Sequence, residues 1–290
     1  DEDDIKIYES SLSGFNSILN GKIDNLELLL RNGLKEVWIS LNTGVSIFNV
    51  DQAKFENFKF NPRSSRNKFP NGFSAILISK KDELWISNIT SGLYKYNPET
   101  LDLVKHYIFD IDDKKSITSS SLTSLTEYNE ELYIGSEGDG IFIYLNDSTG
   151  FSNINTENGL LSNNVKNFLK TYQFLFILTD KGINYFDFEV MSTLTDGNNN
   201  NLRNINEEDG LIIEKILNNG ISFYNDFIYF FTQDNIQRID LYNLFVDRES
   251  PILSLTMSEY IDENFDKRKL EILDKNINLR SDISNIELTL

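Results

Sequence analysis

The sequence has no cysteine and only one histidine, and these shortages exclude several kinds of catalytic and metal site. Without cysteine the protein has no disulfide bond, no thiolate metal ligand and no thiol nucleophile. The single histidine, His106, rules out a zinc site built from several histidines, and no Gly-x-Ser-x-Gly segment marks a serine nucleophile. His106 itself lies in an apolar, strand-like segment and is predicted to be an ordinary strand residue. We therefore expect no metal and no cofactor.

Long apolar runs and basic residues are also scarce. No segment approaches the roughly 18 consecutive apolar residues that a membrane-spanning helix needs. The 27 Lys and Arg residues are outnumbered by 45 Asp and Glu residues, so the formal net charge is −18. This charge opposes binding to a polyanion, and we expect no nucleic-acid partner. Such acidity is typical of a solvated surface, and acid-rich metal binding is the alternative.

The 290-residue sequence does contain an internal repeat, at intervals of roughly 43 to 53 residues. Five segments share an aromatic column, then a glycine column six or seven residues later, then a second apolar column. Glycine in that place suits the positive φ of a tight hairpin. The aromatic column comprises Trp38, Trp85, Tyr133, Phe176 and Tyr229, and the glycine column comprises Gly44, Gly92, Gly140, Gly182 and, in the fifth repeat, Asn235.

The repeat predicts an all-β fold, a β-propeller of four-stranded blades. Apolar runs rich in Ile, Phe, Tyr and Leu, separated by Gly, Asn and Asp, indicate about four strands per repeat, named a to d outward from the axis. Because a lone sheet cannot bury both faces, the aromatic column is expected to fill the space between blades, with carbohydrate stacking as the alternative. The predicted boundaries are a partial blade at 1–23, blades at about 24–65, 66–116, 117–159, 160–201 and 202–250, and a C-terminal unit at 251–290.

Long linkers are predicted between strand d of one blade and strand a of the next, at 61–72, 110–121, 157–164 and 197–214. They emerge with the b–c turns on one end of the disc, and long loops on a rigid scaffold are where binding functions concentrate. Two linkers carry basic clusters that are suited to an anionic saccharide, with ordinary solvated charge as the alternative. The predicted ligand-binding residues are Arg63, Arg66, Lys68, Lys114 and Lys115.

Two acidic segments are the candidates for catalysis. The segments DIDD at 110–113 and NEEDG at 206–210 offer the paired carboxylates that a glycosidase requires. Acidic loops are common in a protein of this charge, and DIDD lacks the pattern of a twelve-residue calcium loop. We therefore expect a protein without enzymatic activity of its own.

Several segments resemble the two-component regulator propeller repeats that form the sensory ectodomains of bacterial hybrid histidine kinases and related receptors. ELWISNITSGLYKYNPET at 83–100 and ELYIGSEGDGIFIYLND at 131–147 are similar to that family's blade motif, and TENGLLSNNVKNF at 156–168 is similar to its link between blades. SPILSLT at 250–256 resembles the entry into its three-Tyr domain, a β-sandwich. The resemblance implies a periplasmic or extracellular sensor, a small-molecule or oligosaccharide ligand of carbohydrate type and a homodimer. It implies membrane attachment only through segments outside this sequence.

Both ends of the sequence fit the repeat less well. Residues 4–15 match strands c and d of a partial blade, with Tyr8 in the place of Tyr96. This favours five full blades plus a partial one from a larger propeller, and a five-bladed ring that the N-terminal strands complete is the alternative. Residues 251–290 contain strand-like segments but too few to complete an Ig-like β-sandwich. The expected function is a sensor that signals through this sandwich to an output domain. A propeller glycosidase or polysaccharide lyase and a protein-interaction scaffold are the alternatives.

Overall fold

The chain forms two compact units, residues 1–240 and 241–290. No helix in the described parts of either unit is long and apolar enough to cross a lipid bilayer. The computed structural model describes residues 6–10, 16–64, 66–113, 115–128, 130–187, 202–241, 258–261, 267–270 and 285–288.

The first unit consists of five antiparallel sheets that follow one another along the chain as the blades of a propeller. In each sheet the strands lie side by side in sequence order, and the first strands of consecutive sheets contact each other. These first strands are therefore the innermost, and the predicted all-β propeller with five blades is confirmed. Blade 1 comprises β1 (Ile23–Arg31), β2 (Leu34–Leu41), β3 (Gly44–Asn49) and β4 (Lys54–Lys59), and blade 2 comprises β5 (Ala75–Ile78), β6 (Leu84–Asn88), β7 (Gly92–Tyr96) and β8 (Leu103–Tyr107).

Blades 3 and 4 have the same four-stranded order, whereas blade 5 has three described strands. The predicted fourth strand of blade 5 would fall largely within 242–250, which lies outside the described residues. Blade 3 comprises β9 (Leu122–Tyr128), β10 (Glu131–Ser136), β11 (Ile141–Asn146) and β12 (Gly150–Ile154). Blade 4 comprises β13 (Val165–Lys170), β14 (Phe174–Thr179), β15 (Gly182–Asp187) and β16 (Arg203–Ile205). Blade 5 comprises β17 (Ile216–Tyr224), β18 (Phe227–Thr232) and β19 (Ile236–Asp240).

The aromatic column fills the space between neighbouring blades. Trp38 packs with Phe73, Ile76 and Ile86 of blade 2, and Trp85 packs with Leu122 and Ile134 of blade 3. Both tryptophans are fully buried, as are Tyr133 and Phe176. Every strand b except that of blade 5 is thus covered on two faces, which is why its sequence is almost continuously apolar. Tyr229, in the last blade, is only half-buried.

Two glycines of the repeat show why the column tolerates no side chain. Gly92 and Gly140 have φ values of +85° and +79°. A Cβ atom at these positions would lie 2.4 Å from the carbonyl oxygen of Tyr107 and 2.3 Å from that of Ile154, each on the neighbouring strand d. The close approach of strand d and the positive φ therefore select glycine together. Asn235 in blade 5 does not have a positive φ, and no strand d is described beside it.

The prediction of a linker at 197–214 is wrong for part of that segment. Residues 203–205 form strand β16, which pairs with Ile183, Asn184 and Tyr185 of β15. The segment RNI has one apolar residue, so its sequence shows none of the alternation that marks a longer strand. A shorter connection follows, and in it a 3₁₀ turn at Glu207–Asp209 precedes β17.

The N-terminal segment packs onto blade 1 without forming the predicted strands c and d in its described part. Residues 6–9 have no regular structure, and Ser10 makes an isolated parallel bridge with Ile18. The Tyr8 ring lies 4.7 Å from Phe48 and 5.5 Å from Phe55, centroid to centroid. The rest of the predicted partial blade, residues 4–5 and 11–15, lies outside the described residues.

Among the described residues, the inner strand of the first blade and part of the last blade have an uncovered outer face. Leu26, Leu28 and Leu30 alternate along β1 on the face away from blade 2, and Leu28 is 66% exposed. On the far face of blade 5, Tyr224 is largely exposed and Ile236 is 72% exposed. Between interior blades the corresponding faces bury their apolar side chains.

The second unit contains one described sheet of three short antiparallel strands. Its order is β21–β20–β22, with β20 in the centre. The strands largely coincide with the three strand-like segments predicted in the C-terminal sequence. The other predicted parts of the β-sandwich lie outside the described residues. The strands are β20 (Ser258–Ile261), β21 (Lys267–Leu270) and β22 (Asn285–Leu288).

Candidate functional site

The linkers and the b–c turns lie on the same end of the propeller, which we call the linker end. The Asn88 side-chain amide, at the b–c turn of blade 2, donates to the carbonyl of Gly72 in the preceding linker at 3.1 Å. In blade 3, Gly140 N–H donates to the carbonyl of Asn163 at 2.9 Å. The opposite end carries the a–b and c–d turns, because successive strands of each blade run antiparallel.

A pocket of about 250 Å³ opens at the linker end, close to the propeller axis. Blades 1, 2, 3 and 5 contribute to its wall. It collects residues from the beginnings of inner strands, from the linker before β5 and from the b–c turn of blade 2. We call it the axial pocket. Its lining residues are Asp24, Asn25, Ser40, Asn71, Gly72, Phe73, Ser74, Asn88, Ile89, Thr123, Asn218 and Asn219.

Polar side chains near the start of the inner strands form a chain of hydrogen bonds around the axis. Each bond crosses one blade junction, so four junctions are joined in succession. Four of these inner strands also have a break in their pairing register at this level, which turns a polar side chain toward the next blade. Asn25 Nδ2 donates to the Ser74 carbonyl, Ser74 Oγ to the Leu122 carbonyl at 2.5 Å, Thr123 Oγ1 to the Val165 carbonyl at 2.7 Å, and Asn167 Nδ2 to Asn219 Oδ1 at 3.3 Å.

The axial pocket is polar but carries little charge. Asp24 is its one ionisable lining residue, and Lys22 lies 3.6 Å from the Asp24 carboxylate. The other polar groups are amides and hydroxyls, which can both donate and accept hydrogen bonds. Asn218 and Asn219 are exposed at the rim. This arrangement suits a neutral ligand with several hydroxyl or amide groups better than an ion.

The sequence signal for this pocket is the presence of Asn, Ser or Thr near the start of each inner strand, as in NLELLL and LNNGISF. The apolar residues of these segments predict the strands but not the pocket. The polar residues meet only after the blades have been arranged around an axis. The pattern along one strand therefore does not reveal which of them share a pocket.

The predicted basic cluster is not gathered at one place. Arg63 and Arg66 are exposed in the linker between blades 1 and 2. The same linker then inserts Phe69 between the blades, and Lys68 Nζ binds the Asp102 carboxylate and the Thr100 carbonyl, both at 3.1 Å. Thr100 and Asp102 belong to a c–d turn, so the Lys68 ammonium lies toward the end opposite the axial pocket.

Lys115, in the next linker, likewise lies beside a c–d turn. Its backbone carbonyl lies so near Gly150, in the c–d hairpin of blade 3, that a Cβ atom there would come within 2.2 Å of it. Lys114 lies outside the described residues. The role of the five basic residues in ligand binding stays a prediction.

The two acidic segments have local structural roles. In DIDD, Asp110 accepts from the Asp112 N–H and Asp113 accepts from the Lys115 N–H, and these carboxylates are exposed. In NEEDG, the Asn206 and Asp209 side chains cap the 3₁₀ turn. No group of three or more His, Asp or Glu residues in the described ranges is arranged to hold a metal ion.

His106 stacks on the ring of Tyr94, with 3.9 Å between centroids and 11° between planes. Its Nε2 lies 2.6 Å from the Ser91 carbonyl oxygen. Both partners belong to blade 2, on strand c and the b–c turn. The histidine therefore joins two outer strands of one sheet and takes no part in the axial pocket.

Comparison with solved structures supports the propeller fold, whereas comparison by sequence finds no match. No protein-family description matches the chain, and no curated protein is similar to it. Among solved structures, the extracellular domain of the hybrid two-component system BT3049 of B. thetaiotaomicron matches with a TM-score of 0.58 at 17% identity, covering 78% of this chain and 29% of that one. The extracellular domain of the one-component system BT4673 of the same organism matches at 0.56 and 13%, covering 88% and 32%.

A third structure is PorZ, a surface component of the type-IX secretion system of Porphyromonas gingivalis, with a TM-score of 0.50 at 12% identity. The match covers 86% of this chain and 39% of PorZ. The chain thus spans about a third of the length of the proteins that it resembles. At these identities the likeness shows a shared propeller fold.

Proposed function

We propose that the chain is part of an extracytoplasmic sensor and that its ligand binds in the axial pocket. The observation that carries the proposal is the concentration of amide and hydroxyl groups from four blades around one pocket at the linker end. Support for the sensor role comes from the extracellular domains of two-component and one-component systems that have similar folds. The axial pocket is lined by amides and hydroxyls and has Asp24 as its one ionisable residue, which favours ligand sensing over glycosidase or lyase chemistry at this place.

We infer further that the ligand is of carbohydrate type. A saccharide presents many hydroxyl groups that both donate and accept hydrogen bonds, and asparagine amides complement them in both directions. The near neutrality of the axial pocket favours a neutral sugar there. An acidic oligosaccharide would instead require the exposed Arg63 and Arg66 of the first linker, as the sequence predicts.

We propose that the blades belong to a larger propeller. The exposed Leu26, Leu28 and Leu30 on blade 1, together with the half-buried Tyr229 on blade 5, support this proposal. Inside the unit, each such apolar surface is covered by a neighbouring blade. In a larger ring the same inner-strand residues would still line the axis. The C-terminal unit would lead through the β-sandwich to a membrane-attached output domain in a homodimer, as the sequence resemblance implies.

The binding proposal is tested by calorimetry with a panel of neutral and uronic-acid oligosaccharides. We expect heat of binding with a neutral member of the panel and a loss of affinity of about ten-fold in Asn218→Ala, because an amide with two hydrogen-bonding groups is removed. Asn204→Ala, on the exposed outer strand of blade 4, is the matched control and keeps the affinity of the parent. Equal affinity of Asn218→Ala and the parent for every sugar that binds would reject the axial pocket.

A further inference from the structure

A second cleft lies between blades 2 and 3, at the end of the propeller opposite the axial pocket. Its volume is about 470 Å³. Blade 2 contributes its a–b turn and the start of strand b, and blade 3 contributes its a–b hairpin and the end of strand c. We call it the junction cleft. Its lining residues are Ser79, Lys81, Glu83, Trp85, Glu127, Glu130, Glu131, Leu132, Tyr144, Leu145 and Asn146.

The equivalent position between blades 1 and 2 is filled by an arginine of the chain itself. The Arg31 guanidinium binds the buried Glu36 carboxylate with both oxygens, at 2.7 and 2.6 Å. Its third contact is the Pro98 carbonyl of the c–d turn of blade 2, at 3.0 Å. Trp38 Nε1 also donates to Glu36, at 3.0 Å. One guanidinium thus satisfies a buried carboxylate and joins two blades.

The junction cleft presents the same three groups without the arginine. By the repeat, Glu83 corresponds to Glu36, and Trp85 corresponds to Trp38. Asn146 corresponds to Pro98, since each lies two residues after the tyrosine of the second apolar column, Tyr144 in blade 3 and Tyr96 in blade 2. In blade 2 the a–b turn carries Lys81, whose ammonium is directed to Glu130 of blade 3 instead.

One buried polar atom of the junction cleft has no partner. Trp85 is 1% exposed, and nothing among the described residues accepts a hydrogen bond from its Nε1. Glu83, the residue that would accept if it were placed as Glu36 is, has its Oε1 held by Lys95 at 2.6 Å. The chain itself supplies one cation here, Lys95, which binds Glu83 and lies 5.2 Å from the centre of the Trp85 ring. It leaves the Trp85 N–H without an acceptor among the described residues, and an unpaired buried N–H is costly.

The electrostatics of the junction cleft favour a cation. Four glutamates and one lysine line it. Two of the carboxylates accept from neutral donors among the described residues, Glu127 from the Lys80 N–H and Glu131 from the Tyr133 hydroxyl. The half-buried Tyr144 ring, packed 5.0 Å from the buried Trp85 ring, provides an aromatic surface on which a planar cation can stack. Within the described ranges no three of these carboxylates are grouped to hold a metal ion, and a planar organic cation matches a carboxylate and an aromatic ring together.

We propose that the junction cleft binds a guanidinium group, supplied by a small guanidino compound or by an arginine side chain. The guanidinium donates to the Glu83 carboxylate and to the Asn146 carbonyl, as Arg31 does to Glu36 and Pro98. We expect the Glu83 carboxylate to accept from Lys95, the guanidinium and Trp85 Nε1 together, as Glu36 accepts from both Arg31 and Trp38. A guanidinium is favoured over an ammonium because its planar fork matches a carboxylate with two parallel hydrogen bonds. The site is independent of the axial pocket.

The test is calorimetry of the whole chain at low salt with agmatine, with N-acetyl-arginine amide and with butylamine. We expect the two guanidinium compounds to bind about ten-fold or more tightly than butylamine, because only they can form the bidentate contact. Tighter binding of agmatine would identify a small guanidino ligand, and tighter binding of the blocked arginine an arginine side chain. Absence of binding by both guanidinium compounds would overturn the proposal.

Variants test the position of the site. Glu83→Gln should weaken agmatine binding about ten-fold or more, since a charge-assisted pair is lost. Glu137→Gln, an exposed glutamate at the linker end, removes the same charge elsewhere and should leave the affinity unchanged. If Glu83→Gln melts below the parent, Trp85→Phe provides a second measurement: agmatine should alter the tryptophan fluorescence of the parent and not that of Trp85→Phe. Parent-like affinity in Glu83→Gln, or a fluorescence change that persists in Trp85→Phe, would contradict the site.

Discussion

Replacement of Trp85 tests how much the packing at one blade junction contributes to the free energy of unfolding. Its indole is buried, with the ring centroids of Tyr107 and Tyr144 at 5.8 and 5.0 Å. Truncation of a large aromatic residue in a packed core costs about 3 to 5 kcal/mol of unfolding free energy. Because Trp85 Nε1 makes no hydrogen bond in the described structure, Trp85→Ala loses packing and the contact of the Lys95 ammonium with the ring, but no hydrogen bond. We expect a destabilisation within that range.

Trp38 is the matched residue at the preceding junction and allows the hydrogen bond to be separated from packing. Its Nε1 donates to the buried Glu36 carboxylate at 3.0 Å. A hydrogen bond to a charged group contributes about 1.5 to 3 kcal/mol. Trp38→Phe should therefore lower the free energy of unfolding by more than Trp85→Phe does, although both variants lose similar ring area.

Equilibrium unfolding in urea, followed by circular dichroism, gives these free energies. Tyr229→Ala serves as the internal reference, because Tyr229 occupies the same column but is only half-buried. Its cost should fall clearly below that of Trp85→Ala. If Trp85→Ala unfolds at the same urea concentration as the parent, or costs no more than Tyr229→Ala, the assignment of this column to blade junctions is refuted.

Four further predictions concern other parts of the propeller. Gly140→Ala should destabilise by about 1 to 3 kcal/mol or more in thermal melting, because a positive φ and the Ile154 carbonyl both oppose a Cβ atom. Hydrogen bonds from Lys105 and Tyr107 lower the pKa of Asp147 to about 2, so its stabilising effect is present above pH 4 and is lost as the pH falls toward 2. In Asp147→Asn the melting temperature should therefore change less with pH over that interval. Leu28→Asp should leave the melting temperature of this chain nearly unchanged, because Leu28 is exposed, and a large decrease would show that its face is covered. The double variant Arg63→Ala with Arg66→Ala should melt like the parent but bind a uronic-acid oligosaccharide less tightly, and unchanged binding would remove these residues from any anion site.

The repeat columns could be predicted from sequence because the residues that form each hairpin lie close together along the chain. The spacing from Trp85 to Gly92 depends only on the length of one hairpin, and the same hairpin recurs in every blade. By contrast, strand β16 at 203–205 is too short to show alternation, and it pairs only because β15 offers a free edge. The sequence therefore predicted blade number and strand order better than the ends of individual linkers.

The candidate sites depend on contacts between blades, which sequence spacing does not encode. Lys68 was assigned to the linker end, yet Phe69 beside it inserts between two blades and carries the lysine to Asp102. The axial asparagines become neighbours only through the arrangement of the blades around the axis. Arg31 and Lys81 lie at corresponding a–b turns. Arg31 binds Glu36 and fills the junction between blades 1 and 2, whereas Lys81 is directed to Glu130 and does not fill the junction cleft.

Hydrogen exchange with and without a bound oligosaccharide tests the central claim most directly. After calorimetry has identified a sugar that binds, the amides of 71–74, 123 and 218–219 should become more protected when that sugar is added, because they surround the axial pocket. Amides in the basic linker segment 61–68 should change little. Protection confined to 61–68, with none around the axial pocket, would contradict the account.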